Sequence, residues 1–599
     1  MTVGCHARSE RIHPAIPAFP KKTQSTLIYY HPMRSLTILF ALFLRLACSA
    51  DSASVPSATG AESELLLATD GSTDYRIVYD DNEAVEAVRL AAEQLAYHLG
   101  EISGADFPIK PGDPAEWSAD QKRIVLGENA FTQRHGLGDI EGESFAFKTV
   151  GNTLLIAGGD SPGNPLNIKY ESRAGTLIAV FHLLRDQFGV EWFLPGQRWA
   201  VIPEADTLSL SRIDERHDPV FPLRGLRQSE IWHMPVENNI RSDATRAYML
   251  WARAHGAGAE LQGEPGHTTH RVMRPWTKAD GSFTGDPEWL ARIDGERRLP
   301  HALGERGWYG TWHGVKPALT HPEVIDAHIR FARQFADENP AADILPMGLS
   351  DGHGYDESPS ATAFDNPGTE QISDRIFTFY GKLAEGVAET HPDRKVGTFA
   401  YQRYREPPSA EIPIPDNLYV VYVRNNTVFL DDAARAETLE EIREWGERTK
   451  NLAYFSYPLS MGFFGLPAFH TGFIPEIFDT LRQTGSTGLR DVDTQSPHAT
   501  LPDAFLSARL AGDPSLDAAS LVTEFFERLY GPAAPAMRAY YETVEAAHDR
   551  VRNQLATATG EFDGVQGMDE RVPAIFGPIR DEAVAHLENA STEANAEGV

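Results

Sequence analysis

The stretch Asp343-Ile344-Leu345-Pro346-Met347-Gly348-Leu349-Ser350-Asp351-Gly352-His353-Gly354-Tyr355-Asp356-Glu357 decides how the chain is read. Ile344 to Leu349 is a short apolar run of the kind a buried parallel strand shows. It breaks at once into an Asp, two Gly, a His and two further carboxylates. A buried strand that empties into a Gly-loosened, acid-bearing loop is how an α/β barrel presents catalytic groups at its C-terminal rim. Paired carboxylates suit glycosidic bond cleavage, where one gives a proton while another supports positive charge or activates a nucleophile. Ser, Asp and Gly also favour turns for local reasons, so this stretch alone leaves a plain capping loop open.

Outward from it, strand-like and helical segments alternate as a barrel requires. Strands are expected at Phe221–Arg227, Gly258–Gln262, Trp289–Ile293, Lys395–Tyr401, Asn417–Val423, Leu452–Tyr457 and Gly488–Val492. Helices are expected at Asp243–His255, at Pro322–Asn339 with Pro at its start, and from Asp374 to Glu389. With the opening stretch this makes roughly eight strands. The expected fold is therefore an α/β (β/α)8 TIM-like barrel over 219–500. A small α/β sandwich over 63–210 precedes it and a helical region over 501–599 follows. In the first of these, helices carry Val88, Ala92, Leu95 and Leu99, and then Leu177, Val180, Phe181 and Leu184, on single stripes. Neither helix opens with a Gly-rich phosphate loop, so no nucleotide cofactor is implied.

Polar residues recur just after the expected barrel strands. Arg227 follows the first, and His267 lies in the loop after the second. Asp351, Asp356 and Glu357 follow the fourth, Tyr401 and Arg403 the fifth, Arg424 and Asn425 the sixth, and Tyr457 the seventh. Asp491 and Asp493 flank Val492 at the eighth. A strand buried on both faces has no need of such endings, and their recurrence at one end points to a rim site. Each taken singly is an ordinary strand-to-loop boundary. His267 and His270 are three apart, but Gly266 and two threonines around them argue against a helix, and no carboxylate completes a zinc pattern; no metal is expected. Trp308, Tyr309 and Trp312 are either a sugar-stacking loop or a core patch. Asn425-Asn426-Thr427 matches a glycosylation acceptor.

Over 599 residues, 54 Lys and Arg stand against 85 Asp and Glu, a formal charge of −31 that repels phosphate backbones and anionic lipid heads. Nucleic acid is excluded as a partner on that ground, whereas a neutral sugar is not. Both cysteines, Cys5 and Cys48, lie in the first fifty residues, so the body of the chain has neither a disulfide nor a thiol site. From Met33 a short basic start leads into the apolar Leu36–Ala47 and the small residues Ala47-Cys48-Ser49-Ala50. The run is too short to span a bilayer and reads as an export signal cleaved after Ala50. Lipid attachment at Cys48 is the alternative, with Arg45 standing where an apolar residue is usual. Residues 1–62 are thus extension, signal and linker.

Arg173-Ala174-Gly175-Thr176-Leu177 through Phe188-Gly189-Val190-Glu191-Trp192-Phe193-Leu194-Pro195 resembles the accessory α/β domain found before α-glucuronidase and hexosaminidase barrels. Gly266-His267-Thr268, Asp286-Pro287-Glu288-Trp289, Thr320-His321-Pro322-Glu323-Val324, Leu349-Ser350-Asp351 and Thr398-Phe399-Ala400-Tyr401 with Pro407-Pro408 resemble the bacterial domain of unknown function 4838. The resemblance covers roughly residues 65–500. It implies a glycoside-hydrolase-like barrel with an accessory N-terminal domain, in exported proteins of polysaccharide-degrading bacteria. The family's loop after the Asp usually carries cysteines; here His353, Tyr355 and Ser358 occupy that region.

The resulting expectation is an exported glycosidase of α-glucuronidase or hexosaminidase type, acting on a carbohydrate. Asp351 and Glu357 lead as acid/base candidates, with Asp356 as orienter or stabiliser and Asp491 as the distant partner. Arg227, His267, Tyr401, Arg424 and Tyr457 are the expected substrate contacts. The rival reading is a barrel that binds carbohydrate without cleaving it. A metal-dependent lyase or esterase resting on His267 and His270 is a third.

Overall fold

The computed structural model describes residues 64–596 apart from 117, 119–120, 168–171, 228–242, 264, 279–281, 299–314, 353, 366–367, 426–430, 458–465, 468, 494–500 and 552–567. The signal-like run with Cys48, the Trp308/Tyr309/Trp312 group, His353 and Asn426 lie outside the described residues. Among the described residues no helix is long and apolar enough to cross a membrane.

The N-terminal portion runs Glu64–Thr69 (β1), Arg76–Val78 (β2), Glu86–Ser103 (α1), Arg123–Leu126 (β3), Ala130–Arg134 (α2), Phe145–Val150 (β4), Thr153–Gly158 (β5) and Gly175–Phe188 (α3). It ends with Glu191–Trp192 (β6), Ala200–Val201 (β7), Thr207–Ser211 (β8) and Asp214–His217 (β9). Five strands make one sheet in the order β2-β3-β5-β4-β9, parallel across β2, β3 and β5 and antiparallel beyond. Every residue of the central strand β5 is buried, which is why it reads as an unbroken apolar run. α1 and α3 pack together, and the glycine of the Ala174-Gly175-Thr176 turn is what lets α3 start hard against the sheet. A Cβ on Gly175 would lie 2.6 Å from the Gly159 nitrogen and 2.8 Å from the Ser144 carbonyl oxygen, so no larger residue fits.

The larger portion begins with Leu223–Arg227 (β10), Asp243–Ala254 (α4), Gly258–Ala259 (β11), Thr269–Val272 (α5), Ala291–Ile293 (β12), Glu296–Arg298 (β13), Pro322–Glu338 (α6) and Ile344–Pro346 (β14). Pro359–Thr362 (α7), Ser373–Ala388 (α8), Lys395–Ala400 (β15), Leu418–Asn425 (β16), Asp432–Arg448 (α9), Leu452–Tyr457 (β17), Ile474–Thr484 (α10) and Gly488–Asp493 (β18) complete it. Five further helices follow: Leu501–Gly512 (α11), Ala518–Tyr530 (α12), Ala534–Arg550 (α13), Met568–Phe576 (α14) and Arg580–Ala596 (α15).

One seven-stranded sheet, ordered β11-β10-β18-β17-β16-β15-β14, organises this portion. Its six strands from β10 to β14 are mutually parallel, so their C-terminal ends share one rim. The sheet also curls. β11 pairs with β10 at one edge, and the chain just after it bridges the other edge at Gly263–Ile344 and His267–Gly348.

A complete eight-stranded barrel is not formed among the described residues, and two elements account for the difference. The expected second strand is only two residues long and pairs with β10 antiparallel. The expected third strand is a hairpin arm, β12 paired with β13 in a sheet of its own. Asp294 and Gly295 turn the hairpin with φ of 52° and 82°. Two successive left-handed residues, as Asp-Gly, are the favoured two-residue hairpin turn, and that local chemistry overrides the barrel period.

Buried ion pairs join the two portions. Glu143, just before β4, is fully buried and accepts from Arg224 of β10 and Arg253 of α4, each at 2.6 Å. Glu191 of β6 is equally buried between Arg185 of α3, at 3.0 Å, and Arg509 of α11. Burial alone would raise the Glu191 carboxyl, but the two guanidiniums outweigh it and hold it down at about 2.

Candidate active site

Beyond β14 the chain stays extended to Asp351 because a neighbouring loop staples it down. Gly348 N–H donates to the Pro265 carbonyl and Thr268 N–H to the Gly348 carbonyl, at 2.8 and 2.9 Å. Ser350 N–H donates to Thr269 Oγ1 at 2.9 Å, and Tyr380 of α8 donates its hydroxyl to the Met347 carbonyl at 3.0 Å. His267 joins this seam: its Nδ1 donates to the Leu349 carbonyl at 2.5 Å and its ring leans on Phe399, 5.0 Å away. The acidic loop and the Gly266-His267-Thr268 turn are thus one unit at the rim.

Asp351 is half-buried, and its Oδ1 accepts the Gly352 N–H at 2.8 Å. Beside it lies Lys316, whose side chain is almost wholly buried. The Lys316 ammonium donates to the Gly352 carbonyl and sits 4.1 Å from the centre of the Tyr355 ring. Arg403 approaches the same ring at 5.8 Å, and Tyr404 meets it edge-on at 6.2 Å. Burial lowers the Lys316 amine to about 7, against the pull of the Asp351 charge, which raises it. Gln402, between Tyr401 and Arg403, has φ +53°, a strained conformation of the kind found at ligand-facing loops.

The other two acids of the loop face elsewhere. Asp356 is buried and accepts the Arg292 N–H at 2.7 Å, the Ser358 N–H at 3.1 Å and the Ser358 hydroxyl at 2.7 Å. Glu357 is exposed and accepts the Asp294 N–H at 2.8 Å, while its own N–H donates to the Arg292 carbonyl. Both residues clamp the loop to the β12–β13 hairpin.

Among the expected substrate contacts, Arg424 is buried and turns to α9, donating to Thr438 Oγ1 at 3.1 Å and Glu437 Oε2 at 3.0 Å. Tyr401 is buried directly after β15. Arg227, Tyr457 and Asp491 are placed by strand register: Arg227 pairs with Asp493, Tyr457 with Asn425, and Asp491 with Phe455. Asp491 on β18 stands four strands from β14, about 19 Å along the sheet at ~4.8 Å per strand. Lys316 escaped the sequence reading. Its one signal is a lone Lys heading the apolar Pro317-Ala318-Leu319.

The family model of a domain of unknown function, DUF4838, matches residues 194–542. Among solved structures the chain is similar to a family GH115 4-O-methyl-α-glucuronidase with specificity for decorated arabinogalactans. That likeness has 14% identity and a TM-score of 0.48, over 90% of this chain and 70% of that one. It is also similar to the chitobiase of Flavobacterium johnsoniae, with 13% identity and a TM-score of 0.38 over 90% and 73% of the two chains. A third likeness is to the N-acetyl-β-hexosaminidase of Streptomyces plicatus, with 12% identity and a TM-score of 0.34 over 82% and 92%. No curated protein matches the sequence.

Proposed function

This chain belongs to the DUF4838 family, and on that premise we propose that it is an exported glycosidase using carboxylate acid/base catalysis at the rim of its large sheet. The observation that carries the reading is Asp351. It lies in the loop five residues beyond the parallel strand β14, half-buried beside an almost wholly buried lysine. A carboxyl group in such a place can exchange a proton with a glycosidic oxygen out of bulk water. In this scheme Asp351 is the acid/base and Asp491 its partner from across the curl. His267, Tyr355 and Arg403 bind hydroxyl groups, and Arg227 and Tyr457 extend the binding surface along the rim. Asp356 and Glu357 keep the Asp351 loop in place. The substrate is a polysaccharide or oligosaccharide of the α-glucuronidase or hexosaminidase type, and the apolar Leu36–Ala47 run supports export.

A carbohydrate-binding protein without hydrolysis is the second reading. The specific observation in its favour is that Asp356, Glu357 and Arg424 are all engaged within the protein. One experiment separates the two. Purified protein and Asp351→Asn are incubated with xylan-, arabinogalactan- and chitin-derived oligosaccharides, and released reducing ends are measured. Release by the parent and none by the variant supports hydrolysis at Asp351. Binding without release supports the second reading.

A further inference from the structure

A cleft of about 430 Å³ opens between α1, α3, the β6–β7 loop and α4. Its lining includes the aromatic Phe181, Trp192 and Trp251 beside the polar Gln94, Gln197 and Arg246. This volume falls in the range of small-molecule sites, about 300–1,000 Å³.

Two polar atoms among these side chains make no hydrogen bond to the described residues. His98 is 3% exposed, and its Nδ1 donates to the Gln94 carbonyl at 2.8 Å. That bond fixes the neutral tautomer, so Nε2 carries a lone pair, and the ring makes no other hydrogen bond to the described residues. Trp192 is 7% exposed, and its hydrogen bonds to the described residues run through its backbone, leaving the indole N–H free of them. Both side chains line the cleft. The two rings stand edge-to-face, 5.3 Å apart. Burial lowers the His98 imidazole to about 4, so the acceptor persists at neutral pH.

An acceptor and a donor side by side in an aromatic lining ask for a group that both gives and takes a hydrogen bond. A carboxylate meets only the indole N–H and repels the imidazole lone pair. An ammonium meets only the imidazole. A hydroxyl meets both, and a pyranose adds an apolar face for the aromatic lining. We propose that this cleft is a second, non-catalytic saccharide site, which holds an uncharged sugar through a hydroxyl shared between His98 Nε2 and the Trp192 indole. It rests on the glycan-active reading only for the choice of probe.

The test uses the full chain carrying Asp351→Asn, so that turnover at the rim does not intervene. Cellohexaose, xylohexaose and chitohexaose are titrated by calorimetry. His98→Phe keeps the aromatic packing but removes the acceptor, and Ala247→Trp fills the cleft from α4. The expected result is that at least one oligosaccharide binds, with affinity reduced about tenfold or more by each change, as the loss of one good hydrogen bond implies. The Trp192 indole N–H resonance, assigned by its absence in Trp192→Phe, shifts on binding. Equal affinity in all three proteins, or binding of none of the three probes, overturns the proposal. A bound peptide from residues 1–63 seen protected in the cleft overturns it equally. Hydrolysis is scored separately on the parent protein, so failure at the rim and failure at the cleft are read independently.

Discussion

The Lys316 ammonium lies 4.1 Å from the centre of the Tyr355 ring and donates to the carbonyl of Gly352, next to Asp351. Both contacts hold the acidic loop, and the one to the ring depends on charge. Because burial brings the amine down to about 7, that charge is lost within the physiological range. The expected outcome is that kcat/KM falls as pH rises through about 7. Lys316→Met, measured across the same range, should be less active below that point and lack the falling limb. A limb of unchanged position in the variant assigns it to another group. Stability moves oppositely: the unfolded lysine keeps its proton up to about 10.5 while the folded one does not, so stability rises with pH between 7 and 10.5. Lys316→Met removes that rise.

The three acids of the loop separate by what they touch. Asp351→Asn is expected to lower turnover by about 10²–10⁴, the usual worth of a general acid or base, with the fold intact by circular dichroism. Asp356→Ala should do the reverse. It leaves the buried N–H of Ser358 and the part-buried N–H of Arg292 without their acceptor, at a cost of about 1–3 kcal/mol, and a lower Tm is the readout. If Asp351→Asn turns over like the parent, Asp351 leaves the mechanism.

Glu143 carries the same logic into the seam between the two sheets. Its carboxylate answers two buried guanidiniums, so Glu143→Ala leaves Arg224 and Arg253 as uncompensated buried charges. Breaking such a pair costs about 3–5 kcal/mol, read as a lower urea midpoint. Glu143→Ala with Arg253→Met should recover part of the loss, since one stranded charge goes with it. A double variant no better than the single one argues that Arg253 contributes packing alone.

Periodic patterns were readable in the sequence where burial imposes them. Leu452–Tyr457 forms a strand with the expected limits, because a central strand covered on both faces is largely apolar. The Asp294-Gly295 turn and the two-residue β11 escaped, since there a local turn preference and a change of sheet edge override period. The acids were harder still. Asp351, Asp356 and Glu357 share one residue class and one loop, and the same side chains serve turns and catalysis alike. Only three-dimensional contact distinguishes the carboxylate beside Lys316 from those that clamp Arg292 and Asp294. Lys316 itself lies 35 residues before Asp351, and no spacing rule connects them.

Acid should loosen the joint at Glu191. In the unfolded chain this carboxyl takes up its proton near 4.5, whereas Arg185 and Arg509 delay that uptake to about 2 in the folded one. The unfolded state therefore binds more protons between these values. The stabilisation is complete above about 4.5 and is lost as pH falls from there toward 2. A shift of that size corresponds to about 3 kcal/mol at neutral pH. Glu191→Gln keeps the shape but not the charge. It should lower the urea-derived stability at pH 7 and flatten its decline between about pH 5 and 3 relative to the parent. If parent and variant decline in parallel over that range, the pairing of Glu191 with Arg185 and Arg509 does not set the acid sensitivity of the seam, and Glu143 becomes the group to titrate next.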